Sequence, residues 1–256
     1  MLPLRATNAR NSQAGPELKP LALTTPNLRT RLGPAWLLRA LVARRGSIVA
    51  PLGPSWRREL DAIRSTRSLV PLLMTDAAAL QIQICVRAAR SLDGAMAEAG
   101  VLMGGSARLI CDAKGDADLH LFDVFETLQR SDEAPGCGTG AAVHEHFGAV
   151  LGTRAQVERL LASYENVHFH PGLFPESAPK QLAGARYSFV HIDLDLEQCI
   201  GDALAYFQPR MVPGGIIIGD DYGDAGVRRA FATYFATCAD TMIELPWGQV
   251  MIVKQG

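Results

Sequence analysis

The amino-acid sequence predicts an α/β protein whose mostly parallel sheet is covered by helices on both faces. From about residue 94 onward, apolar strand-like runs alternate with helical stretches, which is typical of repeated βα units. The length of 256 residues is enough for one large α/β domain and an appended segment. We therefore expect an N-terminal arm and helical extension at 1–67 and the main domain at 68–256.

The N-terminal segment has a different character from the rest of the chain. Residues 1–30 are rich in Pro, Asn, Thr and Ser and predict an extended or disordered arm. Helices are predicted at 34–45, 55–66 and 75–92, the last with Thr75 as its N-cap. One short helix cannot bury the apolar residues of 34–45 alone, which favours a homodimer or larger homo-oligomer with 30–67 at the interface.

The charge of this segment also differs from that of the domain. Residues 1–70 carry twelve Lys/Arg and three acids, although the whole chain has a net charge of -1. The asymmetry indicates contact with an acidic partner or a membrane surface, or packing of a basic arm on its own acidic domain or on a second subunit. The overall charge gives no sign of a nucleic-acid binder.

The domain itself divides into predicted strands and helices. The strands are 96–101, 119–125, 166–170, 187–193 and 214–221, followed by a closing antiparallel pair at 241–246 and 249–254. Helices are predicted at 154–164, 196–207 and 226–235 and after the glycine turn that follows the first strand. In such sheets ligands bind beyond the carboxyl ends of the strands.

Other features of the sequence bear on its cellular compartment. No uncharged run reaches the roughly 18 residues of a membrane span, and the start lacks the apolar stretch of a signal peptide. The five cysteines are odd in number and form no C-x-x-C pair, which argues against a disulfide framework. We expect a cytoplasmic protein.

A glycine-rich turn follows the first predicted strand. It contains Glu98, Gly100, Gly104 and Ser106 and opens a helix, where free N–H groups and glycines let backbone approach a ligand. The spacing is not G-x-G-x-x-G, so a dinucleotide fingerprint is absent. An acid before the first glycine suits a cationic amino acid ligand better than a pyrophosphate, although such turns are often only structural.

Asp123 ends the next strand, about twenty residues further on. An acid at this position can accept hydrogen bonds from both hydroxyls of a ribose. Together with the glycine turn it indicates a cofactor that contains adenosine. The alternative is a helix N-cap or a solvated strand end.

Four carboxylates follow two further strands. Asp193 and Asp195 come after one strand, and Asp220 and Asp221 come after the next. Like charges this close are costly unless a positive group lies among them. Oxygen ligands suit a hard divalent cation such as magnesium or calcium. The histidine pairs His144/His146 and His168/His170 are read as hydrogen-bonded structural residues rather than metal ligands.

With these motifs in place, residues from about 68 to 254 resemble the macrocin O-methyltransferase family, which includes the mycinamicin and novobiocin sugar methyltransferases. The resemblance is carried by AEAGVLMGGSARLICDAKG, LHLFDVFE, VHFHPGLFPES, YSFVHIDLDLEQCIGDALAYFQPRMVPGGIIIGDDYG and GVRRAF. It implies the class I methyltransferase fold with a seven-stranded sheet. It also implies a magnesium-dependent O-methyltransferase that transfers a methyl group from S-adenosylmethionine to a hydroxyl. The hydroxyl would belong to a sugar of a natural product or glycan.

The resemblance assigns roles to residues of this chain. Glu98, Gly100, Gly104 and Ser106 fall in the cofactor turn, near the methionine end, and Asp123 falls at the ribose position. The loop Gly172, Leu173 and Phe174 borders the adenine. Asp193, Asp220 and Asp221 match the magnesium ligands. Catechol O-methyltransferase uses a lysine base just after its first ligand, but Leu194, Asp195 and Leu196 follow here, which leaves Asp193 or Asp195 as the base.

The chain departs from the family at three places. Val124 replaces a threonine after the ribose acid, and Glu197 replaces the tyrosine of D-x-D-x-Y. The segment 128–143 lacks the usual Gly-Leu-Pro pattern where the substrate loop is expected, and the loop from about 126 to 150 is predicted to close over the site. These departures affect the acceptor more than the cofactor or the metal.

Three other functions compete with methyl transfer. A nicotinamide oxidoreductase would need a better pyrophosphate loop and has no use for Asp220 and Asp221. A metal-dependent hydrolase would use the carboxylates but not Glu98 or Asp123. A non-catalytic cofactor-binding protein would need none of the metal positions, yet all three are filled.

Overall fold

The computed structural model of the protein describes residues 53–126, 133–134, 138–139 and 152–256. The predicted arm at 1–30, the helix at 34–45, the pair His144/His146 and most of the loop at 126–150 lie outside these residues. Residues Arg57–Gly256 form one compact unit. Of the helices in the described part of the chain, none is long and apolar enough to cross a membrane.

In the described part of the chain, the main sheet contains seven strands, and six α-helices accompany it. The strands are β1 (Ala95–Ala99), β2 (Leu119–Asp123), β3 (Val167–Pro171), β4 (Tyr187–Ile192), β5 (Met211–Gly219), β6 (Thr241–Leu245) and β7 (Gln249–Val253). The helices are α1 (Arg57–Leu69), α2 (Asp76–Ala89), α3 (Gly105–Lys114), α4 (Arg154–Leu161), α5 (Glu197–Phe207) and α6 (Ala225–Phe235). A separate antiparallel pair joins Glu133–Ala134 to Gly138–Thr139.

The strand order in the sheet is β3-β2-β1-β4-β5-β7-β6. Strands β1 to β5 run parallel to one another, and β7 pairs antiparallel with both β5 and β6. This agrees with the predicted parallel sheet and its closing antiparallel pair. The chain reverses its direction of travel across the sheet between β1 and β4, so the carboxyl ends of these central strands face a common crevice.

Helices cover both faces of the sheet, as the sequence predicts. One apolar core lies between the sheet and α5 and α6, and another lies between the sheet and α2, α3 and α4. Strand β4 is buried along its whole length, because it lies in the middle of the sheet with helices on either side. The central strands are therefore rigid supports for whatever follows their carboxyl ends.

Side-chain caps begin three of the helices. The Thr75 hydroxyl accepts a hydrogen bond from Ala78 N at 3.1 Å, which confirms the predicted N-cap of α2. Thr153 and Gln156 form a reciprocal capping box at α4. Asp224 caps α6 by accepting from Gly226 N and Val227 N.

Two features of the fold were not expected from the sequence, namely the start of β5 and a disulfide at Cys199. Strand β5 begins at Met211, three residues before the predicted start at 214, and its pairing with β4 is irregular between Tyr187 and Phe189. Cys199 is disulfide-bonded, whereas Cys85, Cys111 and Cys238 are free. The sequence argued against a disulfide framework and did not indicate this bond.

Helix α1 packs onto the domain through a small third core. Its Ile63 is completely buried with Leu72, Ala79 and Leu109, and Glu59 forms an ion pair with Arg87 of α2. The end of the predicted N-terminal extension thus contacts α2 and α3 directly. The boundary at 67/68 itself stays a prediction.

Ile63→Ala should destabilise the protein by about 2–5 kcal/mol, because it leaves a cavity in this core. Leu69→Ala is the matched control, since Leu69 is 59% exposed on the same helix. The control should change the free energy of unfolding by less than about 0.5 kcal/mol. Denaturant unfolding of both variants measures the difference; equal effects would mean that α1 is not anchored through Ile63.

Candidate active site

Two groups of residues meet at the carboxyl edge of the central strands. The first is the glycine turn between β1 and α3, and the second is the set of carboxylates that follows β4 and β5. They adjoin because β1 and β4 are neighbours in the sheet.

Gly100 joins the two groups. Its φ is +88°, and a Cβ built on it would lie 1.8 Å from the carbonyl oxygen of Asp193. Only glycine allows the backbone to turn this way so close to the neighbouring strand end. Gly104 precedes α3 with φ +83°, and its added Cβ would lie 2.8 Å from Val157. Ser106 is buried in the first turn of α3.

Asp123 organises the turn from the end of β2. Its Oδ2 accepts hydrogen bonds from Val101 N at 2.6 Å and Leu102 N at 2.9 Å, and its Oδ1 accepts from Phe125 N at 2.6 Å. Burial raises the pKa of the Asp123 carboxyl, although these hydrogen bonds act in the opposite direction. Asp123 is therefore neither a helix cap nor a solvated strand end, and its contact with a ribose stays a prediction.

The side chain of Glu98 is buried rather than exposed at the glycine turn, where the sequence analysis expected it to contact the cofactor. Its side chain is 0% exposed, and Oε1 lies 2.8 Å from Nδ1 of His191 on β4. Glu98 and His191 are in register on the neighbouring strands β1 and β4, so their side chains meet on the same face of the sheet. We correct its assignment as a direct cofactor contact accordingly.

The loop after β3 only partly follows the expectation. Gly172, with φ +127°, donates from its N–H to Asp123 O at 2.9 Å, so Gly172 and Leu173 lie next to the end of β2. Phe174 is 6% exposed, and its ring stacks on Phe207 at 4.9 Å between centroids. The Phe174 ring thus belongs to the core. The expectation that Phe174 borders the adenine is corrected accordingly.

The carboxylates converge as predicted. Oxygen atoms of Asp193, Asp195 and Asp221 lie within 4.8 Å of one another, and so do ligand atoms of His191, Asp193 and Asp220. We call these four aspartates the carboxylate cluster. Asp193 belongs to both groups and therefore occupies the centre of the cluster.

The backbone turns between Asp220 and Asp221, so that both carboxylates reach the same region. Asp221 itself adopts φ +51°, two residues after β5 ends. Asp195 has φ +58° and likewise turns the chain after β4. Helix α5 has Leu196 as its N-cap and no side-chain cap, so Asp195 does not serve as its cap.

Mutual repulsion and burial shift the pKa values of the cluster. Burial and the neighbouring carboxylates raise the pKa of Asp193 well above its usual range, against the opposing charge of His191. Burial and the charges of Asp220 and Asp195 raise the pKa of Asp221 to about 6. Burial opposes charge on His191, but its contacts with Asp220 and Glu98 prevail and raise its pKa to about 10. His191 in turn lowers the pKa of Asp220, in spite of burial. Crowding thus opposes full ionisation of Asp193 and Asp221, whose pKa values are raised, while the charge of His191 favours ionised Asp220 by lowering its pKa.

An open cleft of about 1070 Å³ leads to the cluster. Asp195, Asp220 and Asp221 line this cleft together with Leu73, Met74 and Trp247. Sequence analysis did not identify His191, Trp247 or Gln249 as site residues. A signal existed for His191, which lies two residues before Asp193 on the same strand and hence on the same face.

The His168/His170 pair lies outside this site. His170 Nε2 is 3.0 Å from Nδ1 of His120, and His168 Nε2 is 2.7 Å from Asp118. These contacts agree with the interpretation of the pair as hydrogen-bonded structural residues.

Comparison with known proteins decides the family. The family model for macrocin O-methyltransferase (TylF) matches residues 73–250. The chain belongs to the macrocin O-methyltransferase family. In this family member Glu197 replaces the usual tyrosine, and it forms an exposed ion pair with Arg229 at 2.7 Å that links α5 to α6.

Individual relatives agree with this family. The chain is 32% identical over 165 residues to an 8-demethyl-8-(2,3-dimethoxy-alpha-L-rhamnosyl)-tetracenomycin-C 4'-O-methyltransferase from Streptomyces olivaceus, across 60% of this chain. The match spans 63% of the length of that curated relative.

Solved structures share the fold. The O-methyltransferase NovP has a TM-score of 0.64 at 20% identity, covering 79% of this chain and 98% of NovP. An O-methyltransferase from Bacillus cereus in complex with SAH has a TM-score of 0.51 at 16% identity, covering 84% of this chain and 97% of that protein. The class I methyltransferase fold expected from the resemblance is thereby confirmed.

Asp221→Asn should raise the melting temperature in EDTA at pH 7.5, because it removes one charge from the cluster. The folded-state pKa of about 6 lies above the ordinary 3.8. The stability contributed by this carboxyl is therefore complete below about pH 3.8 and is lost as the pH rises through about 6. The advantage of the variant should shrink as the pH falls towards 4. Asp202→Asn on α5 is the control. A variant no more stable than wild type at pH 7.5 would contradict repulsion at Asp221.

Proposed function

We propose that the protein is a magnesium-dependent O-methyltransferase that transfers a methyl group from S-adenosylmethionine to a hydroxyl of a sugar. Membership of the macrocin O-methyltransferase family supports the reaction and the cofactor. The Streptomyces olivaceus relative acts, by its name, on a rhamnosyl group carried by tetracenomycin C. We extend the sugar acceptor to this chain, as part of a glycosylated natural product or glycan.

One observation carries the proposal, namely the contact between the glycine turn and the carboxylate cluster at Gly100 and Asp193. A methyl donor held at the turn would lie directly beside an acceptor held at the cluster. Methyl transfer requires donor and acceptor in line, and holding both in place accounts for a large part of the acceleration. A cofactor site far from the carboxylates would not meet this need.

The residues of the cluster fit a hard divalent cation. Ligand atoms of Asp193 lie within 4.8 Å of Asp221 in one group and of Asp220 in the other, and all three aspartates offer the carboxylate oxygens that magnesium prefers, while Nδ1 of His191 is already engaged by Glu98. A cation among the carboxylates would also relieve their mutual repulsion. We propose these three aspartates as the magnesium ligands; calcium shares the ligand preference.

The remaining roles follow from the position of each side chain. Gly100, Gly104, Ser106, Asp123, Gly172 and Leu173 hold the cofactor at the turn, where the helix N-terminus offers free N–H groups. S-adenosylmethionine supplies an activated methyl group, and magnesium supplies Lewis acidity that lowers the pKa of an acceptor hydroxyl. Asp195 accepts the proton from that hydroxyl, because it lies in the cluster and caps no helix.

Two further expectations from the sequence stay predictions. One is a homodimer or larger assembly that involves residues 30–67, and the other is a cytoplasmic location.

Removal of the metal should abolish methyl transfer. The protein, S-adenosylmethionine and a panel of glycosides should give products heavier by one methylene group in mass spectrometry when magnesium is present. EDTA should stop the reaction and excess magnesium should restore it. Full activity after thorough chelation would remove magnesium from the proposal, and S-adenosylmethionine that fails to bind in calorimetry would remove methyl transfer itself.

Asp193→Asn and Asp195→Asn should separate the metal ligand from the base. Asp193→Asn should abolish turnover and weaken magnesium binding, while S-adenosylmethionine affinity stays within a few-fold. Asp195→Asn should lower the rate by about 10²- to 10⁴-fold, typical of a lost general base, and keep magnesium affinity. Asp202→Asn on α5 should behave as wild type. Turnover, calorimetry of both ligands and melting temperature decide between the roles; full activity in Asp193→Asn would exclude the assignment.

A further inference from the structure

A chain of polar side chains runs beneath the carboxylate cluster and ends in the wall of the cleft. Glu98 Oε1 contacts His191 Nδ1 at 2.8 Å, and His191 Nε2 lies 3.6 Å from Asp220 Oδ2. Gln249 Nε2 donates to the same Asp220 oxygen at 3.3 Å, and Trp247 Nε1 donates to Gln249 Oε1 at 3.2 Å. We call these five residues the polar chain.

The polar chain exists because four strands lie side by side in the order β1-β4-β5-β7. Glu98 on β1 is in register with His191 on β4, and His191 is in register with Ile218 on β5. Asp220 follows Ile218 by two residues and so lies on the same face. Gln249 begins β7 beside it. The first three links therefore cross from one strand to the next, and the last joins Gln249 to Trp247, two residues earlier in the chain.

The amide of Gln249 has a single acceptable orientation. It donates to a carboxylate on one side and accepts from an indole N–H on the other. A flipped amide would place an oxygen against the Asp220 carboxylate and an NH₂ group against the Trp247 N–H. Gln249 is 0% exposed, so water does not replace either partner. Asp220 and Trp247 are therefore tied together by one rigid side chain.

The polar chain is incompletely satisfied without a ligand. Among the described residues, Glu98 Oε2 is buried without a hydrogen-bond partner, and buried His191 Nε2 has Asp220 Oδ2 at 3.6 Å, beyond hydrogen-bond distance. Buried polar atoms without partners are costly, so a purely structural network would be expected to satisfy them. These unsatisfied atoms are consistent with a network that gains its missing contacts when Asp220 changes its position or its charge environment.

We propose that Glu98, His191 and Gln249 are positioning residues for Asp220, and that Gln249 couples occupation of the carboxylate cluster by a divalent cation to the orientation of Trp247. Trp247 lines the cleft together with Leu73 and Met74. Binding of the cation therefore orients a side chain of the cleft before the acceptor binds. This inference rests on the proposed magnesium site.

Tryptophan fluorescence tests the coupling without any turnover. The sequence contains Trp36, Trp56 and Trp247. Magnesium added to the full-length protein should change the emission, and Trp247→Phe should remove that change while Trp56→Phe retains it. Calorimetry measures magnesium binding in the same samples. A change that persists in Trp247→Phe would overturn the coupling.

Gln249→Met breaks the link while keeping the length and apolar volume of the side chain. We expect magnesium affinity to fall by about 10- to 100-fold, the usual effect of removing a partner of a metal ligand. At saturating magnesium the fluorescence change should be absent. Gln83→Met is the matched control, since Gln83 is a buried glutamine of α2 outside the polar chain. Unchanged affinity and fluorescence response in Gln249→Met would overturn the proposal.

Glu98→Gln separates positioning from direct cofactor contact. We expect weaker magnesium binding and unchanged S-adenosylmethionine affinity in calorimetry. The opposite pattern would return Glu98 to the cofactor site and overturn its positioning role. Melting temperatures confirm that each variant is folded.

The failure of this inference can be told apart from failure of the proposed function. If the wild-type protein binds no magnesium, both the proposed magnesium site and the coupling are wrong. If it binds magnesium and its activity requires the metal, but the Trp247→Phe and Gln249→Met variants behave as wild type in fluorescence and calorimetry, only the coupling is wrong.

Discussion

The close approach of β1 to β4 at their carboxyl ends is the constraint on which the candidate active site depends. The hydrogen bond from Asp193 N to Ala99 O, at 2.9 Å, extends the pairing of the two strands past the end of β4. At the next residue, Gly100, even a methyl group would collide with the Asp193 carbonyl. A side chain there would push the strand ends apart and separate the glycine turn from the carboxylates. The relative position of the glycine turn and the carboxylate cluster thus depends on glycine at position 100, which has no Cβ.

The electrostatics of the cluster follow from the same crowding. Four aspartates lie at adjacent strand ends, and burial makes their repulsion stronger than it would be in water. His191 offsets part of this charge from below, and Glu98 holds the imidazole in place through Nδ1. The stability lost by assembling such a cluster is the usual cost of a site prepared for a cation, because functional sites commonly oppose folding.

Asp123 illustrates how a residue can serve the fold and the site together. Its carboxylate fixes the backbone of Val101 and Leu102 at the turn, so the N–H groups and the glycines keep one arrangement. The predicted contact with a ribose also follows from the position of Asp123 at the end of β2. A strand end that shapes the turn is well placed to shape the ligand bound there.

The sequence by itself determined the order of strands and helices, the parallel sheet with its closing pair, and the presence of acids at the strand ends. These features are local, because hydrophobic periodicity and the residues after an apolar run can be read without knowing which segments are neighbours. The tertiary structure alone decided that Glu98 faces His191, 93 positions away, and that Gln249 links Asp220 to Trp247. It also decided that Asp221 turns the backbone itself. Side-chain alternation predicts a face of the sheet, but the partner on that face depends on strand order and register, which only the packed chain establishes.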